Sequence, residues 1–457
     1  MKKSTILFLL LRIHFCYYTQ ELPAFKKLRY DEDYSNIKND NATNWYLQSK
    51  HLSLSNNKKS YVSFGGDIRY QYFYVKNEDW GDAEKDKDGY LLSRLLLHSD
   101  IHIGLHFRTF VQLQSSGANG KIETSPVDED PLELHQAFVD LSLNPSQKSK
   151  LVFRLGRQEL AYGSQRLVAV RDGPNNRQSF DAVKTSITTG KYKIDLFYSH
   201  YVKAKKGLFD DGFNRDNQFW GVYLVRNKIS FLGNLDAYYL GLWKRAAMFD
   251  DGTGKEKRHS LGSRIWNNQS DFRYDIEGLY QFGKFDTKNI DAWTLSFNLG
   301  YKFSNKKLEP EVGLKTELIS GDAQYDDKKL QAFNPLFPRG GYFGLASLIG
   351  PSNLFDVHPS FGLELTKTLS LDFDYDIFWR YSNNDGIYTP GVSLIYTGKE
   401  NPNKYIGSQL SSELTYTPNN FLYFRYETTW FKAGNFLKAA GKGKDIFFAG
   451  VTAQLKF

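Results

Sequence analysis

The stretch LSLDFDYDIFWRY, residues 369–381, constrains the fold more than any other. Leu369, Leu371, Phe373, Tyr375, Ile377, Trp379 and Tyr381 occupy every odd position, and Asp372, Asp374, Asp376 and Arg380 occupy even ones. Alternate side chains of a strand point to opposite faces. One face is therefore an apolar and aromatic stripe, and the other is charged. A soluble sandwich shows its polar face to water, whereas a membrane barrel shows its apolar face to lipid and its polar face to a lumen. One strand does not decide between them. The rest of the chain does, because it repeats the unit at regular spacing.

From Tyr61, the run YVSFGGDIRYQYFYV sets Phe64, Ile68, Tyr70, Tyr72 and Tyr74 against Asp67, Arg69 and Gln71. Strands follow at 90–103, 105–114, 134–144, 150–160, 178–188, 191–202, 218–227 and 234–243. Further ones fall at 258–266, 271–283, 290–303, 309–319, 355–366, 369–381, 404–417, 420–432 and 445–457. The total is about 18, with broken parity at 178–188 and 218–227. Their connections alternate in length. Long ones span 76–89, 115–133, 161–177, 203–217, 244–257, 320–354, 382–403 and 433–444, and short ones lie between them. The 283–289 loop is shorter than its class. Short periplasmic turns and long extracellular loops describe a closed, antiparallel, up-and-down transmembrane barrel. An even strand number puts both ends on the periplasmic side. The last strand, DIFFAGVTAQLKF, ends in Phe457 and looks like the assembly signal of bacterial outer-membrane proteins.

Composition agrees. A chain of 457 residues normally suggests two or three soluble domains, but no linker divides it. Mean hydropathy is −0.51, and no apolar run reaches the roughly 18–20 residues a membrane helix needs. The 35 Phe, 30 Tyr and 8 Trp suit the aromatic girdles of a barrel. Cys16 is the single cysteine, so no internal disulfide forms. The residues before it, Ile13, His14 and Phe15, lack the small side chains of a lipoprotein cleavage site. MKKSTILFLLL reads as a secretory signal over 1–20, with Lys2 and Lys3 before a short apolar core. Residues 21–58 read as a polar periplasmic segment and 59–457 as the barrel. Losing Lys2, Lys3 and Arg12 lowers the net charge from +8 by three, to +5. A mildly basic chain attracts anions. No basic cluster or base-stacking motif points to nucleic acid.

The string FRLGRQELAYGSQRLVAVRDGPNNRQSFDAV, at 153–183, resembles the alginate export family of outer-membrane barrels. So do LRYDEDYS at 28–35, FGGDIRYQY at 64–72, LISGD at 318–322 and FNPLFP at 333–338. IGPSNLFDVHPS at 349–360 and FWRYSNNDGIYTPG at 378–391 extend the likeness. The resemblance implies an 18-stranded barrel in the bacterial outer membrane that passes an anionic polyuronate outward through an arginine-lined pore. Its implied partners are outer-membrane lipid, an anionic polysaccharide or oligosaccharide, and periplasmic export components. Cargo does not transfer with fold, and a general or small-anion porin is the alternative.

Parity assigns the lumen. Arg69, Arg94, Arg108, Arg154, Arg264, Arg273, Arg380 and Arg425 fall on the charged faces, as do Asp275, Glu277, Glu317, Asp372, Asp374, Asp376, Glu413 and Glu427. An outward arginine at mid-bilayer costs about 2–4 kcal/mol. Such charges either select ions or pair across neighbouring strands as wall. Arg157, Arg166, Arg171 and Arg177, with Asp181, crowd one loop. Guanidinium forks suit carboxylates, and the same groups also suit pairing with loop acids. Arg157 shares the apolar parity of Leu151, Phe153 and Leu155. Either Gly156 makes a bulge that turns it inward, or it lies above the lipid band. The 320–354 loop carries Phe333, Leu336, Phe337, Tyr342 and Phe343, and packs either into the barrel mouth or on other loops. There is no zinc-type ligand spacing, nucleophile elbow or phosphate loop. The sequence therefore predicts a channel with no catalytic residues, metal or cofactor.

Overall fold

The computed structural model describes residues 23–37, 45–57, 59–84 and 88–457. The expected signal segment, 1–20, lies outside them. Among the described residues no helix is long and apolar enough to cross a membrane. The wall is built of strands β1 (Tyr61–Lys76), β2 (Tyr90–Ile103), β3 (Phe107–Asn119), β4 (Asp130–Ser146), β5 (Ser149–Gln158) and β6 (Phe180–Thr189). It continues through β7 (Tyr192–Lys203), β8 (Gly212–Ile229), β9 (Gly233–Phe249), β10 (Gly252–Asn267), β11 (Phe272–Phe285) and β12 (Lys288–Lys302). It ends with β13 (Glu311–Ile319), β14 (Leu354–Thr366), β15 (Leu369–Trp379), β16 (Tyr405–Tyr416), β17 (Leu422–Ala433) and β18 (Ile446–Lys456).

Each strand pairs antiparallel with its sequence neighbour. Pairing of β1 with β18, Asp67↔Lys456 to Lys76↔Phe447, closes the ring. Every predicted strand is present, including the two whose parity breaks. Closure removes the free edges an open sheet would expose to lipid. Phe373 and Tyr375 of β15 face outward, 40% and 42% exposed, while Asp376 on the other face is buried. Leu155, Tyr198, Trp430 and Val451 continue the exposed apolar band.

Some of the long connections are shorter than expected. Residues 244–257 are mostly ladder, not loop: Lys244 pairs with Glu256 and, past a bulge, Phe249 with Gly252. Only Asp250 and Asp251 turn the chain between β9 and β10. Charged residues on these strands need no lipid-facing parity once the ladder rises past the membrane. The 203–217 connection shortens for the same reason, since β8 starts at Gly212.

The lumen is filled from both ends. Part of the segment assigned to the periplasm, Phe25–Tyr34, packs on inward side chains at the short-turn end. Arg29 donates to the Gly66 and Phe457 carbonyls at 2.8 and 2.9 Å. The Tyr30 ring packs edge-on against Phe110 and Phe138. From the other end, residues 159–179 and 320–353 fold inward together. Val168 and Phe337 form a parallel bridge, and Phe337 packs against Phe180, Tyr201 and Phe219. The long loop therefore packs both into the mouth and on a second loop. Such irregular backbone is tolerated at membrane depth only where protein satisfies it. Loop side chains bind the insert to the wall and to neighbouring loops: Asn175 Nδ2 donates to the Ser93, Gly117 and Asp128 carbonyls, and Asn353 Nδ2 to those of Ser382, Asp385 and Gly386.

Candidate functional site

The principal cavity is a lumen space of about 670 Å³. Its ceiling is the segment 339–345, which reaches the wall on several strands. Tyr342 Oη donates to Glu317 at 3.0 Å, Gln409 Nε2 donates to the Phe343 carbonyl at 2.9 Å, and the Leu345 amide donates to Glu427 at 2.8 Å. The two sides of the cavity differ in charge. Lys27, Arg69, Arg339 and Lys456 line one side, and Asp372, Asp374, Asp376, Glu413 and Glu427 line the other with Lys315 and Arg425.

The basic side is organised around Asp172, whose side chain is 45% open to the lumen. Arg94 lies 2.8 Å and Arg177 3.3 Å from Asp172 Oδ1. Arg69 donates to the Asp172 and Pro174 carbonyls. Burial pushes the Asp172 carboxyl up, but the Arg94, Arg177 and Arg69 guanidiniums hold it well below the usual range. Arg177 also binds Glu159 through two donors, at 2.6 and 2.9 Å, and Glu159 meets His135 at 2.8 Å. Burial lowers the Lys27 ammonium; Asp172 opposes that, while Arg339, Arg177 and Lys456 add to it. Three cations on this side, Lys27, Arg339 and Lys456, have no ion pair among the described residues.

The arginines read from the sequence separate into distinct environments. Arg69 and Arg425 face the principal cavity, as does Asp374. Arg425 lies 3.1 Å from Glu413 and 4.0 Å from Glu427. Arg264 and Asp275 pair at 2.7 Å in a second space of about 510 Å³, which Arg273 also lines. Arg166 sits buried in mid-lumen, 3.2 Å from Glu277 and 2.9 Å from Glu317. Arg108 and Arg154 are wall: each grips one carboxylate with two donors, Asp100 and Asp140 respectively. Arg154 also covers the Tyr30 ring at 4.1 Å, so this pair holds the inserted N-terminal segment.

Three placements correct the sequence reading. Arg157 and Asp181 are not pore groups. They form a 2.9 Å ion pair on the outward parity, at the loop end of β5 and β6. Gly156 has φ 131°, but the register Ala137↔Arg157 runs on unshifted, so no bulge turns Arg157 inward. Arg380 lies one residue beyond β15 and clamps loops. Its guanidinium donates to the carbonyls of Asn383, Asp385, Asn401 and Asn403. Arg171 has φ 56° and packs beside Gly340 and Gly391 in the loop layer, outside the cavity lining.

Lys27, Lys315, Arg339, His358 and Lys456 line the cavity without having been singled out. Parity carried a signal for Lys315, His358 and Lys456, which share faces with Glu317, Asp356 and Gln454. Lys27 and Arg339 lie in irregular segments, where periodicity is silent.

A closed ring of 18 strands, an apolar outer band and a charged, cavity-bearing interior define an outer-membrane channel. The family model for alginate export matches residues 60–447, and the chain belongs to that family. Its place is the bacterial outer membrane. A search of curated protein sequences finds no match. Among solved structures, the chain is similar to a BenF-like porin from Pseudomonas fluorescens Pf-5, with a TM-score of 0.58 at 9% identity, covering 87% of this chain and 98% of that one. It is also similar to Pseudomonas aeruginosa OccK2 (OpdF) in complex with glucuronate, with a TM-score of 0.57 at 11% identity and coverage of 87% and 98%. Pseudomonas aeruginosa OpdK with vanillate gives 0.56 at 10% identity, again covering 87% and 98%. At such identities the likeness is one of fold.

Proposed function

We propose that this channel passes anionic sugars of the uronate class, as single units or short oligomers, by passive and anion-selective diffusion. The observation that carries the reading is the unpaired cationic side of the cavity, where Lys27, Arg339 and Lys456 stand around an Asp172 already shared by Arg94 and Arg177. Ammonium and guanidinium groups lower the desolvation barrier for a carboxylate. The facing acids Asp372, Asp374 and Glu413 repel it and keep its residence short. The ceiling at 339–345 favours short chains over a wide polymer thread. The family is one of alginate export, and two structural neighbours were solved with the carboxylates glucuronate and vanillate, which supports an acidic cargo.

The test is a planar-bilayer recording. A reversal potential in a KCl gradient is expected to show chloride preference, and glucuronate or a short oligouronate is expected to block current more than an uncharged sugar of equal size. Cation preference would sink the reading. Equal block by charged and neutral sugars would leave a small-anion porin without sugar specificity.

A further inference from the structure

We infer that the acidic side of the lumen holds a divalent cation, zinc by its ligand chemistry, between His358 of β14 and Asp374 and Asp376 of β15. One donor atom from each of the three lies within 4.8 Å of the others. His358 Nδ1 is 2.8 Å from Asp376 Oδ1. Strand pairing makes the cluster: the pairs Ser360↔Asp374 and Val357↔Ile377 bracket His358 and Asp376 across the ladder. All three side chains line the 670 Å³ cavity, so an ion reaches them from the lumen.

A second observation is independent of the cluster. Buried polar atoms are nearly always hydrogen-bonded, yet this patch concentrates exceptions. Asp356, fully buried, has neither carboxylate oxygen hydrogen-bonded, and its Oδ1 lies 3.4 Å from His358 Nε2. His358, 4% exposed, has no hydrogen-bond partner at Nε2. Asp374 Oδ1 is likewise without one.

Charge points the same way. No lysine or arginine forms an ion pair with Asp356, Asp374 or Asp376 among the described residues. The nearby cations are engaged elsewhere. Lys315 lies 3.4 Å from Glu317 and stacks over Tyr342 and Phe343, and Arg166 serves Glu277 and Glu317. A dication supplies the missing positive charge. One imidazole with carboxylates suits zinc, whereas calcium and magnesium prefer all-oxygen sets. A second carboxylate group, Asp130, Glu133 and Asp211, lacks an imidazole. Its Glu133 Oε1 already accepts from the Asp210 and Asp211 amides. That group serves as the control.

The test uses the folded full-length barrel in detergent, stripped by chelator and titrated with Zn²⁺ calorimetrically. Native folding of each variant is checked by heat-modifiable gel mobility. Wild type and Glu133→Gln are expected to take up one equivalent, and His358→Gln and Asp374→Asn to bind at least tenfold more weakly. X-ray absorption of wild type loaded with one equivalent of Zn²⁺ needs no variant and is expected to show imidazole scattering. No saturable uptake by wild type, unchanged uptake by both site variants, loss in Glu133→Gln alone, or an all-oxygen zinc shell would each overturn the inference. None of these readouts depends on what the channel carries.

Discussion

Arg94 Nη2 lies 2.8 Å from Asp172 Oδ1, joining the second wall strand to a loop that folds into the barrel from its long-loop end. Asp172 is also the acceptor for Arg177, which ties the same loop to Glu159. One carboxylate thus fixes the inner loop to the wall and sets the charge of the cavity beside it.

Asp172→Asn should separate those two roles. Leaving Arg94 and Arg177 short of an acceptor should cost about 1–3 kcal/mol, toward the lower end because the carboxylate is partly open to water. The heat-modifiable gel transition should move to lower temperature. Anion preference should rise at the same time, since the cationic side loses its one shared acid. A variant with unchanged selectivity would place Asp172 outside the ion path.

Lumen cations without an ion pair should behave unlike wall arginines. Lys456→Glu and Arg339→Glu should lower the chloride preference and weaken uronate block, because each reverses a charge where screening by water is partial. Arg154→Glu should instead set its charge against Asp140, lowering the thermal transition with little effect on reversal potential. Identical behaviour of the two classes would refute the division.

Replacing 337–346 with a short glycine and serine linker should raise single-channel conductance, because this segment roofs the cavity and touches Glu317, Gln409 and Glu427. Unchanged conductance in a folded barrel would mean that ions bypass the roofed space.

The loop layer should tighten in acid. Burial, with Asp251 and Asp385 alongside, pushes the Asp322 carboxyl from 3.8 up to about 8, and burial pushes that of Asp385 to about 7. A carboxyl raised by folding is stabilising in its protonated form. Its contribution is therefore largest at low pH and is lost as pH rises from about 4 through about 8. Protease nicking within 320–353 should be slower at pH 5 than at pH 9, and Asp322→Asn should flatten the difference. Faster nicking at pH 5 would contradict the sign.

Strand parity made the barrel legible. In β15, the outward aromatics Phe373 and Tyr375 and the inward acids Asp372 to Asp376 follow from spacing alone, because lipid and lumen impose opposite demands on alternate residues. Parity also placed Arg69, Arg264 and Arg425 inside. It failed where the chain leaves the ladder. Arg380 sits one residue past its strand, and backbone carbonyls rather than the lumen claim it. Arg157 kept its outward parity because the register at Gly156 never shifted. The insertion of Tyr30 depends on Phe110, Phe138 and Arg154, three residues far away in sequence. The meeting of His358 with Asp376 depends on the register between two strands, which ligand spacing along one strand does not reveal.

Arg29 also links the fold to the order in which it forms. It donates to the carbonyl of Phe457, a contact spanning 428 residues, and to that of Gly66 on the first wall strand. Contacts of such separation carry the largest loop-closure cost and form late. Both acceptors lie at the seam where β1 meets β18, and they come together only when that seam zips. Seating of Arg29 on both acceptors therefore requires a closed seam. A barrel open along the seam does not offer Arg29 both acceptors at once, so its paired hydrogen bonds are a mark of the sealed cylinder, whereas Tyr30 docks on strands away from the seam.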